Sequence, residues 1–288
     1  IGKIPDNNIL IKAISIDSRA IYKNSLFFSI KGKNYDGHSF LKQVKKRHAI
    51  AAIIDKKIVN KSLAKMVDQS FFLLSVDNVL EAFSKIAGEL RKSWHGKLIS
   101  VTGSNGKTTA KELIANVLKK EVGEKSQFSS YGNQNNHIGV PLNLMRLTSE
   151  KKFAVIEMGM NQVGEISKLS SIVKPNFSLI LNAQREHQEF LGSVRATAHE
   201  NGEVISYLTK NNIVVFPKDR DNEDVWWKLA KENMCKVFRF SLKNDLSDFK
   251  REKSFKEITC EILGNNPLLV KLEIDGESIG SVRLNGLG

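Results

Sequence analysis

The sequence predicts an α/β protein, with a small N-terminal α/β domain followed by a P-loop-type domain that has a mostly parallel sheet and extra β-strands. Three observations carry this. Apolar β-rich runs alternate with amphipathic helical patterns through most of the 288 residues. One such run leads straight into "TGSNGKTT" and then into a helical pattern, as in loops that bind phosphate. Beyond about residue 236 the texture changes to β-like pieces.

Taken in order, "SLFFSI", "AIAAII" and "FFLLSV" are short β-rich runs. The segment "NVLEAFSKIAGELRKSW" repeats apolar residues at three and four and predicts a helix. It ends near "WHGK", where Gly96 precedes a new strand, so the domain boundary is placed between residues 95 and 96. Three strand-then-helix pairs follow: "KLISVTG" with "TTAKELIANVLKK", "FAVIEMG" with "VGEISKLSSIV", and "FSLILNA" with "ATAHENGEVISYL". This alternation predicts a parallel sheet flanked by helices, which "NIVVF" extends. The pieces "KVFRFSL", "EITCEIL" and "LLVKLEIDGESIGSVRL" read as further strands, with "IDGES" as a hairpin turn.

Bulk properties narrow the class. Hydrophobic content of 41% with 26% charged residues is ordinary for a globular protein. No apolar run approaches the roughly 20 residues of a membrane span, and the N-terminus has no signal-peptide pattern, so the expected compartment is the cytoplasm. Cys235 and Cys260 are far apart without a CxxC or a histidine pair, and are expected to be packing residues. The net charge of +13 attracts anions in general without choosing among nucleic acid, nucleotide and phosphorylated sugar. A nucleic-acid-binding protein would need more than this, and no aromatic-interleaved basic motif is present.

The loop after "LISV" is shorter than the usual phosphate loop, because Val101 stands where that motif has its first glycine. Gly103, Ser104, Asn105 and Gly106 let the chain turn so that amides and a helix N-terminus face a polyphosphate. Lys107 would neutralise the β and γ phosphates of ATP, Thr108 would offer its hydroxyl to Mg²⁺, and Thr109 continues the first helical turn. Glu157 ends the strand "FAVIE" and His187 follows the strand "FSLIL", both on the edge where parallel sheets present ligands, so both are candidate metal ligands. In "YGNQNNHIGVPLNL", the amides of Asn133, Asn135 and Asn136 suit a sugar, phosphate or peptide. The alternative is a polar turn before a helix beginning at Pro141.

Together, "TGSNGKTT", "GNQNNHIGVPL", "VIEMGMNQVGEI" and the "GS" after "HQEFL" resemble the Mur ligases of bacterial cell-wall synthesis, most closely the type that adds D-alanyl-D-alanine. That family uses the shorter loop. The N-terminal "IDSRAIYKNSLFFSIKGKNYDGHSF" resembles its uridine-nucleotide domain. The resemblance implies a UDP-sugar-binding domain at residues 1–95 and an ATP-binding domain at 96–288. It implies an ATP-dependent ligase, acting through an acyl phosphate on UDP-N-acetylmuramoyl-tripeptide and D-alanyl-D-alanine, and expected to be monomeric without nucleic-acid partners or membrane insertion. Carried over by position, Lys107 binds phosphates, Thr108 and Glu157 the first magnesium, and His187 the second. Ser18, Arg19, Lys31, Gly32 and His38 fall at the UDP end, and Asn133, Asn135 and Asn136 in the central cleft.

Three departures qualify the match. Asn201 stands where many members have a lysine that becomes carbamylated, so water, Glu189 or Glu200 is left to complete the second metal site. Near the adenine, "FPKDRDN" offers Asp219, Asp221 or Asn222 in place of the usual Asn-x-Asp. After "RLNGLG" the family runs on into a third domain, so this stretch alone is expected to bind nucleotide weakly and catalyse poorly. The competing readings are a sibling ligase adding one amino acid, a folylpolyglutamate synthase-like enzyme, and a non-catalytic UDP-sugar-binding fragment.

Overall fold

A computed structural model describes residues 10–185, 192–219, 221–242, 256–265 and 268–284. The chain divides into two compact units, Ile1–Ala87 and Gly88–Gly288.

In the first unit, β1 (Ala13–Ser15), β2 (Ser25–Phe28), β3 (Ala51–Asp55) and β4 (Phe72–Val76) form a parallel sheet in that order. The runs "SLFF", "AAIID" and "FLLSV" are thus strands, and β1 is an addition too short to show a pattern. Phe27, Ala52, Ile54 and Leu73 pack with Leu41 and Val44 of α1 (Leu41–Lys46). Because side chains alternate along a strand, Phe28 points to the other face. There it meets Phe83 of α3 (Val79–Ser93) edge-on at 4.9 Å. Burial of both faces explains why these strands read as continuous apolar runs. A single turn, α2 (Lys61–Ala64), lies between β3 and β4.

The division between units falls inside α3, whereas the sequence places the boundary after it. The last turns of α3 are tied to the second unit by the buried Arg91, which donates to Val173 O (2.8 Å), Lys174 O (3.0 Å) and Trp94 O (3.1 Å). The Val173 and Lys174 carbonyls belong to chain that sequence periodicity does not connect to the helix.

The second unit is built on a nine-stranded sheet, among the described residues, in the order β13-β12-β11-β10-β9-β8-β5-β7-β6. Its strands are β5 (Lys97–Thr102), β6 (Gln127–Ser129), β7 (Phe153–Glu157), β8 (Phe177–Ile180), β9 (Ile213–Pro217), β10 (Lys236–Leu242), β11 (Lys256–Asn265), β12 (Leu268–Ile274) and β13 (Glu277–Leu284). Pairing is parallel from β6 to β11 and antiparallel from β11 to β13. The hairpin between β12 and β13 turns on Asp275 and Gly276 at φ of 54° and 87°, the left-handed pair that a two-residue turn requires. The edge strand β6 has three residues and no alternation long enough to be seen in sequence.

Among the described residues, five α-helices accompany this sheet: α4 (Lys107–Val122), α5 (Gly139–Leu144), α6 (Glu165–Val173), α7 (Val194–Gly202) and α8 (Glu223–Glu232). The helix α5 starts two residues before Pro141, because Asn136 Oδ1 accepts from the amides of Ile138 (3.1 Å) and Gly139 (2.9 Å). Pro141 is tolerated there since first-turn amides have no partner inside the helix. Between α7 and α8, Trp226 is fully buried, donates to Ala198 O at 2.8 Å, and packs on Phe216 of β9 at 5.7 Å. Among the described residues no helix is long and apolar enough to cross a membrane.

β5 lies between β7 and β8. All three run parallel, so their carboxyl ends share one edge, and ligands bind in the crevice where successive connections diverge.

Candidate nucleotide and metal site

The loop after β5 is shaped by two glycines. Gly103 has φ of 134°, and a Cβ there would lie 3.0–3.1 Å from Leu181 Cβ and N and Asn182 N. Gly106 sits at φ of 80° and opens α4 with no side chain capping its first turn. Unfilled first-turn amides and the helix dipole form an anion cradle. The loop interlocks with the segment following β8. Asn182 Oδ1 accepts from Asn105 N (3.0 Å), Asn105 Nδ2 donates to Gln184 Oε1 (2.6 Å), and Gln184 N donates to Ser104 Oγ (2.9 Å). Lys107 folds over the loop, donating to Gly103 O (2.5 Å) and Ser104 O (2.7 Å). Thr109 lies exposed in the same first turn.

Glu157 ends β7 and is 1% exposed. Its Oε2 accepts from Thr108 Oγ1 at 3.0 Å and its Oε1 from Asn135 Nδ2 at 2.8 Å. The structure therefore brings together Thr108, Asn135 and Glu157 from three separate stretches of sequence. The carboxylate meets only a hydroxyl and an amide, with no cationic side chain within ion-pair distance among the described residues. A nearby cation or metal would offset the cost of burying a charge of this kind. One carboxylate and one hydroxyl beside a phosphate cradle fit Mg²⁺, which keeps few protein ligands and takes its other oxygens from water and phosphate.

Other expected residues fall differently. His187 and Glu189 lie outside the described residues. Asn133 is exposed in the loop, while Asn136 is used to cap α5. Asn201 is 1% exposed; its Oδ1 accepts from Thr102 Oγ1 at 2.7 Å beneath the phosphate loop, and its Nδ2 finds no acceptor among the described residues. Glu200, one candidate for completing a second metal site, is already committed. Its oxygens accept from Gly164 N (2.8 Å) and Ile166 N (2.9 Å), capping α6. The carboxylate end of a helix cap of this type satisfies orphan amides and the positive dipole end. Asn222 is buried at the start of α8, donating to Asp219 Oδ2 at 3.1 Å, while Asp221 N donates to Asp219 Oδ1 at 3.0 Å. These three stand two strands from β5 on the same sheet edge.

In the first unit, a cavity of about 610 Å³ is lined by Asp17, Ser18, Arg19, Ile30, Tyr35 and Phe40, among others. Arg19 donates to Asp17 through Nε (3.0 Å) and Nη2 (2.8 Å), and these bonds hold the Asp17 carboxyl below the usual carboxylate range. Lys31 and Gly32 form the neighbouring turn, where Gly32 N donates to Tyr35 O at 2.8 Å. His38 serves the fold. Its Nε2 accepts from Asp55 N at 3.0 Å and its Nδ1 lies 2.6 Å from Asp36 Oδ1, so both ring nitrogens are engaged by protein.

Two residues went unnoticed in the sequence. Asn143, fully buried in α5, donates to Gln134 O (3.0 Å) and Gly139 O (2.9 Å) and so shapes the asparagine loop. Lys111 is fully buried in α4 and donates to Ser130 O (2.9 Å) and Gly132 O (3.1 Å). A polar residue at an inward helical position was the available signal in both cases.

A phosphate loop on the central strand, with a buried carboxylate at the end of its neighbour, defines a nucleotide-binding α/β protein. The chain matches the Mur ligase middle domain over residues 101–277 and the Mur ligase family catalytic domain over residues 10–90, and it belongs to the Mur ligase family. Within that family it is 34% identical over 245 residues to the UDP-N-acetylmuramoyl-tripeptide–D-alanyl-D-alanine ligase of Haemophilus influenzae, covering 84% of this chain and 52% of that protein. It is 33% identical over 248 residues to the ligase of that name from Escherichia coli, covering 86% and 52%. Among solved structures it resembles MurF from Acinetobacter baumannii with a TM-score of 0.79 and 27% identity, covering 98% of this chain and 56% of that one. It also resembles the MurF ligase from Thermotoga maritima in complex with ADP, with a TM-score of 0.77 and 25% identity, covering 97% and 60%. The chain spans about half the length of the curated relatives it matches.

Proposed function

We propose that this chain carries the nucleotide-binding parts of an ATP-dependent amide ligase that joins D-alanyl-D-alanine to UDP-N-acetylmuramoyl-tripeptide. The observation that carries the reading is the meeting of Thr108, Asn135 and Glu157 beside the Gly103–Lys107 loop, in a chain similar over 84% of its length to a ligase of that name. On this reading residues 1–95 take the UDP end, with the cavity at Ser18 and Arg19 supporting it, and residues 96–288 take ATP.

The chemistry follows from the groups present. The peptide carboxylate is a poor acyl donor, so it first attacks the γ-phosphorus of ATP. A new carboxyl O–P bond forms, the bond to the bridging oxygen breaks, and ADP leaves. The amine of the dipeptide then attacks the acyl carbon, the amide bond forms, and phosphate departs as the amine loses a proton. Lys107 and the loop amides offset charge on the transferring phosphoryl group. Mg²⁺, held by Thr108 and Glu157, supplies further positive charge there when bound. Asn135 orients Glu157, and Asn133 would meet the sugar-peptide. The protein is expected in the cytoplasm, as a monomer.

The test is phosphate release by the full-length protein from Mg²⁺-ATP and UDP-N-acetylmuramoyl-tripeptide, with D-alanyl-D-alanine added or withheld. Dipeptide-dependent release that Lys107→Ala abolishes is the expected outcome. Release driven by a single amino acid would assign a sibling ligase, and no substrate-dependent release would leave a nucleotide-binding module.

A further inference from the structure

Lys111 is 0% exposed, although lysine is almost never fully buried unless it is paired. Each of its three N–H donors has a partner: Ser130 O at 2.9 Å, Gly132 O at 3.1 Å and Glu112 Oε1 at 2.9 Å. Burying an ammonium costs several kcal/mol even when it is well paired, and an apolar side chain would fill the space more cheaply.

The geometry is a closed ring of contacts. Lys111 lies one turn beyond Lys107, on the same face of α4. Its ammonium fixes the carbonyls of Ser130 and Gly132, the start of the asparagine loop. Ser130 Oγ accepts from Glu157 N at 3.1 Å, and Glu157 accepts from Asn135 of that loop and from Thr108, which returns to α4. Asn135 N donates to the carbonyl of Asn133 within the loop, and Gly159 N donates to Asn135 O at 2.8 Å, so the loop is tied to the end of β7 at one further point.

From this ring we infer that Lys111 is a positioning residue for the metal carboxylate. It touches neither nucleotide nor metal, but through Ser130 and the 130–135 backbone it sets where Glu157 and Asn135 stand relative to Thr108. This deepens the proposed function and rests on its assignment of Glu157 to Mg²⁺. Groups that orient a metal's ligands typically carry about 10- to 100-fold in metal affinity.

The test measures binding of the ATP analogue AMPPNP to the full-length protein by calorimetry, in Mg²⁺ and in EDTA, for wild type, Lys111→Met and Ser130→Ala. Thermal unfolding of each is followed alongside. The readout is the ratio of the two affinities, which loss of stability alone does not change in molecules that remain folded. The expected result is a ratio reduced about tenfold or more in both variants, with the EDTA affinity at the wild-type value. A wild-type ratio in either folded variant overturns the inference, even if its unfolding temperature falls. If Lys111→Met does not fold, Ser130→Ala decides alone, since it removes only the hydroxyl that holds Glu157 N. A wild-type protein whose nucleotide affinity is the same in Mg²⁺ and EDTA would instead remove the metal reading itself, and the inference with it.

Discussion

The proposed role of Glu157 rests on its surroundings: it is a buried carboxylate bonded to two neutral donors, where a nearby cation would offset the cost of its charge. Glu157→Gln keeps the size and removes the charge. We expect it to lower kcat by about 100-fold or more while leaving the fold intact, by analogy with the loss of a single preorganised electrostatic group. Near-wild-type turnover in this variant would take Glu157 out of the reaction. A second expectation concerns the thiols. Burial pushes Cys235 up to about 11, and Cys260 is shifted upward by the same cause. Cys235 is buried and Cys260 is half-buried. In the folded protein at pH 8 an aromatic disulfide reagent should therefore modify Cys260 before Cys235. Because the fold favours the protonated thiol, the contribution of Cys235 to stability is present below about pH 9 and is lost as pH rises toward 11. Rapid modification of Cys235 in folded protein would contradict its burial.

At the level of helices and loops, the same carboxylate chemistry appears in two roles. Glu157 accepts from Thr108 and Asn135, while Glu200 of α7 caps α6 through Gly164 N and Ile166 N. Hydrogen bonds to charged groups contribute about 1.5–3 kcal/mol, so Glu200→Ala should lower unfolding stability by about 2 kcal/mol or more, measured as a shift in denaturant midpoint. It should leave the Mg²⁺ dependence of nucleotide binding unchanged. A loss of metal affinity without loss of stability would return Glu200 to the list of metal ligands. The helix α4 could be foreseen from "GKTTAKELI", since its glycine turn and its period lie within a few residues. The start of α5 could not, because the capping oxygen of Asn136 competes with the proline signal at Pro141. Nor could the cap on α6, whose donor and acceptor are 34 to 36 residues apart.

Taken whole, the molecule has two compact units with a separate candidate ligand region in each. Hydrogen exchange should resolve them. At 100 times its dissociation constant a ligand stabilises its site by about 2.7 kcal/mol, which slows exchange through opening of that site by about 100-fold. A UDP-sugar should protect the amides around Asp17–Arg19 and Tyr35–His38, and Mg²⁺-AMPPNP those of Gly103–Thr109 and Glu157. Protection of the phosphate loop by both ligands and of the first unit by neither would discard the division of labour. The charge of +13 adds a steering field for anionic substrates, which predicts weaker capture of both ligands as salt rises.

Some of this was open to anyone holding only the residue order. Strand and helix alternation, the short phosphate loop and the strand-end position of Glu157 all rest on chemistry confined to a few neighbours in sequence. The parallel sheet followed because such alternation has few ways to bury both faces. Which asparagine of the loop meets Glu157 was not open in this way. Asn133, Asn135 and Asn136 are alike in sequence, and only folding sends one to Glu157, one to a helix cap and one to the surface. His38, Glu200 and Lys111 likewise look like ordinary polar residues. Their roles are set by burial against partners 17 to 36 residues away, where the cost of an unpaired polar group selects one arrangement of the chain.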